Sequence, residues 1–207
     1  NVNFWHNIQK NLPIVSIHNL EIHDNSLIVA TQGRSIWMLD DLTVIHQLSS
    51  SVDEEKLYKP KDSYRMRGSG GRKSLTAGTN LPNGVIIHYF LPSFDNESDE
   101  VKLSIHSIDG SLIKEFSNKS KENLMKVKKG GNSFVWNMKY SGAKRLDKMV
   151  LWGADFSGAK AVPGDYIVKL KVNEKELTQD FTIHKDPTSE GSIEDIKAQF
   201  EFVNEIN

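Results

Sequence analysis

The chain reads as mainly β, with a β-sandwich at its centre and a short C-terminal helix, and three stretches carry that reading. In GGNSFVWNMKY, Phe134, Trp136, Met138 and Tyr140 fall on one side of an extended strand, with Ser133, Asn137 and Lys139 opposite. That is the period-two pattern of a half-buried strand. In VPGDYIVKLKV, Tyr166, Val168, Leu170 and Val172 alternate against Lys169 and Lys171; a polar break at Asn173-Glu174 leads to Leu177, Phe181 and Ile183, which predicts a hairpin. Strands with such large inward groups need a second sheet to cover them. Finally, Ser192 with Asp195 three residues later forms a capping box ahead of Ile193, Ile196, Phe200, Val203 and Ile206, an apolar stripe at helical spacing.

Size and composition bound the rest. The 207 residues suffice for one large or two small domains with a proper core. With Lys+Arg 26 against Asp+Glu 27, the net charge is -1, which provides no bulk attraction to nucleic acid or an anionic membrane, so no nucleic-acid partner is expected. The absence of Cys excludes disulfides, zinc–thiolate sites and thiol nucleophiles. No apolar run approaches the roughly 18 residues of a membrane span, and none is expected. The first residues, Asn-Val-Asn-Phe-Trp, lack a basic-then-apolar leader and a starting Met, and the helical stripe is still running at the last residue. Both features are expected of a piece of a longer protein.

Taken in order, residues 1–48 hold four short strand-like runs, Ile14-Val15-Ser16-Ile17, Leu20-Glu21-Ile22, Leu27-Ile28-Val29-Ala30 and Ile36-Trp37-Met38-Leu39. Turn residues at Asp24-Asn25-Ser26 and Gln32-Gly33-Arg34 punctuate them. Residues 49–80 are polar, then rich in Gly, Arg and Asn, and are expected to form a linker or crossing loop. The sandwich spans 81–186. It opens with Val85-Ile86-Ile87-His88-Tyr89-Phe90-Leu91, too continuously apolar for an edge strand and so expected to be central. Val101, Leu103 and Ile105 alternate next, Asp109-Gly110 turns the chain, and Leu112 to Phe116 returns. Residues 117–129 read as a loop, Gly130-Gly131-Asn132 as a turn before the Trp136 strand, and Val162-Pro163-Gly164-Asp165 as another. Residues 187–207 hold the start of the C-terminal helix.

Two resemblances refine the fold class. The ordered set of a strand ending Val135-Trp136-Asn137, a later Gly-rich loop, and Val162-Pro163-Gly164-Asp165-Tyr166 leading a strand resembles the immunoglobulin-like module of flagellar hook-capping proteins. It covers about a quarter of the chain and implies an immunoglobulin-like β-sandwich, with no activity attached. The run IHNLEIHDNSLIVATQGRSIWMLDDL resembles the last propeller blade of sortilin-type, Asp-box-repeat proteins described as glycosyl hydrolases. Thr31, Gly33, Arg34, Ile36, Trp37, Asp40 and Asp41 match that family's pattern, and Gln32 stands where it usually has His. The Asp-box itself is absent. One blade is not a propeller, because a lone blade leaves its faces and edges uncovered. The expected partners are therefore the missing blades of a parent chain, with self-association through the blade edge or the C-terminal helix as the alternative. The resemblance also implies a secreted, periplasmic or cell-surface location.

Candidate chemistry is sparse. Gly68-Ser69-Gly70-Gly71-Arg72-Lys73-Ser74 evokes a phosphate loop, but Arg72 breaks the Walker spacing; with Arg65 and Arg67 it is a local basic run. Asp95, Glu97, Asp99 and Glu100 alternate as cation sites do, yet Glu100 and His106 occupy the positions an EF-hand reserves for Gly and Glu. His18 and His23 fall on opposite strand faces, and no metal site is expected. Asp40 and Asp41 sit where a glycosidase would hold a carboxylate, but adjacent acids at a strand end are turn formers, and glycoside hydrolysis needs two carboxyls across a sugar. Among the aromatic residues, Trp136 and Tyr166 are in register with the core, while Trp152, in Leu151-Trp152-Gly153, is freer to meet a sugar. Trp152, Arg34 and Asp40 are thus the candidate ligand-binding residues; no catalytic residue and no cofactor is expected. The leading expectation is a non-catalytic accessory part of a propeller protein, and the alternatives are a carbohydrate-binding module or a fragment contributing to a glycoside hydrolase site.

Overall fold

The computed structural model describes residues 9–48, 53–67, 80–143 and 156–206. The chain divides into two compact units, Asn1–Leu48 and Ser49–Asn207.

The first unit is an antiparallel meander of β1 (Ile17–His23), β2 (Ser26–Thr31) and β3 (Ile36–Leu39), followed by a single helical turn, α1 (Thr43–His46). Asp24 and Asn25 make the β1–β2 connection with φ of 45° and 64°. Two successive positive φ values match the twist of a two-residue hairpin. Of the expected strand at Ile14–Ile17 only Ile17 is in a strand, where it joins Leu20–Ile22 in β1 with a register shift between Ile17 and Asn19.

Residues directly opposite in the ladders share a face. Leu20, Val29 and Trp37 align across the sheet, as do Ile22, Leu27 and Leu39. One face is therefore mostly apolar, with Thr31, opposite Ile17, a polar member of it. The other aligns Asn19, Ala30 and Ile36, then Glu21, Ile28 and Met38, and is mixed. Cover is uneven: β1 is exposed throughout, with Leu20 60% exposed, and Ile36 is 70% exposed, whereas β2 is half-buried along its length and Val29 is buried.

The second unit pairs β4 (Lys56–Leu57), β6 (Val85–Leu91) and β9 (Gly130–Trp136) in a sheet of order β4-β6-β9. A five-stranded sheet of order β5-β11-β10-β7-β8 is built from β5 (Ser63–Arg65), β7 (Val101–Ser107), β8 (Leu112–Ser117), β10 (Gly164–Val172) and β11 (Lys175–Lys185). The two sheets share one hydrophobic core. Val85, Ile87, Tyr89, Leu91 and Trp136 enter it from the first sheet; Val101, Leu103, Ile105, Tyr166, Val168, Leu170, Phe181 and Ile183 enter it from the second. The Trp136 ring lies edge-on to Tyr166 and Phe181, at 5.9 and 6.2 Å between centroids. The alternation read in β7, β10 and β11 is thus the inward row of a covered sheet. Central placement of β6 follows from its apolar character on both faces, with Ile86 and Phe90 half-buried opposite the core.

Three expectations need correction. Residues 49–80 are not simply a linker: β4 pairs antiparallel with β6, and β5 pairs parallel with β11. Leu57 and Tyr58, embedded in a polar run, are buried and anchor the segment. Gly130-Gly131-Asn132 is not a turn but the start of β9, opposite Leu91, Phe90 and Tyr89. Asn132, buried there, accepts from Lys128 N and donates to the Lys128 and Gly130 carbonyls. The Trp136 strand also stops at Trp136, because Met138 adopts φ 60°. Met138 reaches the core through that turn of the backbone, not through continued alternation. Its carbonyl accepts from Ala161 N, and Tyr140 N donates to the Ala159 carbonyl.

The C-terminal helix α2 (Ile193–Ile206) starts as its capping box predicts. Ser192 Oγ accepts from Asp195 N at 3.0 Å, and the Asp195 carboxylate accepts from Ser192 N at 2.9 Å. The stripe is only partly used. Ile196 is buried and Phe200 packs edge-on against Tyr140 at 4.8 Å, whereas Ile193, Phe202 and Ile206 are exposed. Mainly β, with a short C-terminal helix, is what the chain folds into.

Candidate functional site

Arg34 and Asp40 lie at opposite ends of β3. Its four residues span about 13 Å at the usual rise of a strand, so the two candidates do not converge on one ligand. Gly33 and Ser35, at φ 70° and 69°, shape the tip that presents Arg34. That tip is tied by Thr31 Oγ1 donating to the Ser35 carbonyl at 2.5 Å and by Trp37 Nε1 donating to the Arg34 carbonyl at 2.8 Å. The Arg34 side chain is exposed. Asp40 contributes its carbonyl, which accepts from Ser26 Oγ at 2.8 Å. Its neighbour Asp41 accepts from Thr43 N at 2.9 Å and from Asn25 Nδ2 at 3.2 Å, the work of a turn-forming acid. Gln32, at the family's usual His position, hydrogen-bonds to His18 Nε2 at 2.6 Å. Trp152 and the Gly68–Ser74 run fall outside the described residues.

The acidic run is a self-satisfied loop. Asp95 accepts from Glu97 N and Ser98 Oγ, and Asp99 accepts from Asp95 N and Asn173 Nδ2. Those hydrogen bonds, led by the one from the Glu97 backbone for Asp95 and the one from the Asp95 backbone for Asp99, hold both carboxyls below the ordinary aspartate range. Among the described residues, no three His, Asp or Glu side chains are grouped to hold a metal ion, and no helix is long and apolar enough to cross a membrane.

Trp136 and Tyr166 are buried in the core, as their register predicts. Tyr166 donates its hydroxyl to the Val162 carbonyl at 2.7 Å; desolvation in the core raises its pKa well above the ordinary value. Neither presents a ring to a sugar.

The second unit holds a polar cavity that spacing along the chain does not announce. It lies where β5 ends and where β11 passes into α2, encloses about 720 Å³, and is lined by Arg65, Arg67, Asp186, Ser189, Asp195 and Gln199 among others. Arg65 Nε donates to the Ala161 carbonyl at 2.9 Å, and Lys160 Nζ donates to the Met66 carbonyl between the two arginines. Burial lowers the pKa of Arg65; burial, then the positive charges of Arg65 and Lys139, lower that of Lys160. Asp186 and Asp195 each spend one carboxylate oxygen on a local turn. Asp186 accepts from Thr188 Oγ1 and N, and Asp195 from Ser192 N and Oγ. Both carboxyls lie below the ordinary range, through the Thr188 hydroxyl first for Asp186 and the Ser192 backbone first for Asp195. A glycosidase acid needs the opposite shift. Arg65 and Arg67 were visible as part of a basic run. Lys160 and the 186–199 wall were not, because contacts across about a hundred residues leave no local pattern.

Comparison with known proteins finds no family model, no curated protein and no solved structure that matches this chain.

Proposed function

We propose that this chain is a non-catalytic accessory portion of a larger secreted or cell-surface propeller protein of the sortilin type. In this reading the β1–β3 sheet is a layer of the propeller and the two-sheet unit is an immunoglobulin-like sandwich that caps it. One observation carries the reading: the β1–β3 sheet is mostly apolar on one face and half apolar on the other, yet β1 is exposed along its whole length. A free-standing sheet has one polar face, whereas a layer stacked between neighbours is apolar on both. Propeller blades are stacked in that way.

The test is whether that sheet seeks a partner. Sedimentation of the 207-residue chain is expected to reveal concentration-dependent association, which Ile22→Lys with Ile36→Lys abolishes while the melting of the two-sheet unit stays in place. A chain that remains monomeric at every concentration, with the β1–β3 amides strongly protected from exchange, would overturn the reading. The sugar-binding alternative through Trp152 has its own check: retardation in polysaccharide gels that Trp152→Ala removes.

A further inference from the structure

The cations around the cavity differ from the ion-paired lysines of the second unit. Lys59, Lys102, Lys169 and Lys175 each sit within 3.1 Å of a carboxylate, on Asp180, Glu100, Glu176 and Glu55 respectively. Arg65, Arg67 and Lys160 form no ion pair with a carboxylate among the described residues. Arg65 and Lys160 are half-buried as well. Positive groups drawn out of water without an anion in contact are costly and repel one another, and Asp186 offsets the charges of Lys160 and Arg67 only from beyond ion-pair distance. They persist because backbone carbonyls hold them: Ala161 accepts from Arg65 Nε, and Met66 accepts from Lys160 Nζ. The Nε bond fixes the plane of the Arg65 guanidinium and leaves its terminal nitrogens as donors, the geometry that receives a carboxylate.

The remaining walls decide what kind of anion fits. Asp186, Glu190 and Asp195 supply acceptors, Thr188 and Ser189 hydroxyls, and Gln199 an amide, with Ile196 the sole aliphatic side chain among the described lining residues. A run of phosphates, as in a nucleic acid, would be repelled by those acids. A ligand with one anionic group and several hydroxyls meets both walls. The first turn of α2 is not the attraction, since it carries Glu194 and Asp195 and its Asp195 N–H already donates to Ser192 Oγ.

We propose that this cavity binds an acidic sugar, the carboxylate of a uronic-acid unit lying against Arg65 and Arg67 and its hydroxyls against the Asp186–Gln199 side. The site belongs to the second unit alone and is independent of the propeller-capping role.

Titration calorimetry of the 207-residue chain tests this, with galacturonic acid as the probe and galactose and sodium sulfate as controls at matched ionic strength. Galacturonic acid is expected to bind, with both controls weaker by about tenfold or more, the range of a charge-assisted hydrogen bond. Arg67→Glu, at an exposed side chain, is expected to weaken binding by about tenfold or more without moving the thermal transition. Arg65→Lys, which keeps the charge and loses the planar fork, is expected to weaken it too. The proposal falls if galacturonic acid does not bind or if galactose binds equally well. It also falls if sulfate matches the sugar, which would make the cavity a simple anion hole, or if Arg67→Glu leaves affinity unchanged.

Discussion

Strands β1 and β7 are both seven residues long, and both carry alternating apolar side chains. In β7, Val101, Leu103 and Ile105 are fully buried; in β1 every residue is exposed. The difference lies in what faces them. β7 points its row at Tyr89, Trp136 and the rest of a second sheet, while β1 lies at the edge of its sheet, paired among the described strands with β2 alone. Alternation in a strand is therefore an offer of burial, and the energy is realised only where another layer accepts it.

The sharpest way to break that comparison is a matched pair. Leu103→Ala is expected to cost about 3 kcal/mol, by lost burial and the cavity left behind; Leu20→Ala is expected to change stability by less than about 0.5 kcal/mol. Urea denaturation followed by amide exchange in each unit measures both, and equal costs would mean that β1 is covered in solution. Glycines give a second, smaller contrast. A Cβ on Gly84 would lie 2.4 Å from the Trp136 carbonyl oxygen, with φ at 151°, whereas one on Gly33, at φ 70°, meets nothing within 4 Å. Gly84→Ala is expected to cost about 2 kcal/mol and Gly33→Ala about 1 kcal/mol, the latter from backbone strain alone. The helices give the third. α1 is one uncapped turn, whereas α2 has its capping box. Ser192→Ala is expected to cost about 1 kcal/mol, read from amide exchange in the first turn of α2. Because the folded Asp195 pKa lies below the ordinary 3.8, the contribution of this cap is fully present above that value and is lost as pH falls through the depressed one. Exchange in that turn is thus expected to speed up selectively in acid, and Ser192→Ala is expected to flatten that response.

Local patterns announce local structure in this chain. The β10–β11 hairpin, the β7–β8 hairpin around Asp109-Gly110, central β6 and the Ser192 cap all follow from residues within a few positions of one another. What escapes such reading is non-local or conformationally uncommon. Ser63–Arg65 carries no strand pattern of its own and is drawn into the sheet by β11, about 120 residues away. Met138 continues a plausible alternation but arrives inside by a positive φ that an unbranched side chain seldom adopts. The candidate site splits along the same line. Arg34 and Asp40, six apart in the chain, look like neighbours until β3 separates them. Arg65 and Lys160 look unrelated until β5 and the Ala159–Ala161 segment meet.

The short run from Lys56 to Arg65 joins first one sheet, through β6, and then the other, through β11. It acts as a clasp across the two layers. Sliding one sheet over the other would strain this connection as well as empty the core. Tension entering the chain ahead of β5 and leaving after β11 pulls two parallel strands in opposite directions. The Ser63–Ile183, Tyr64–His184 and Arg65–Lys185 pairs then carry the load together, in shear, instead of peeling apart one at a time.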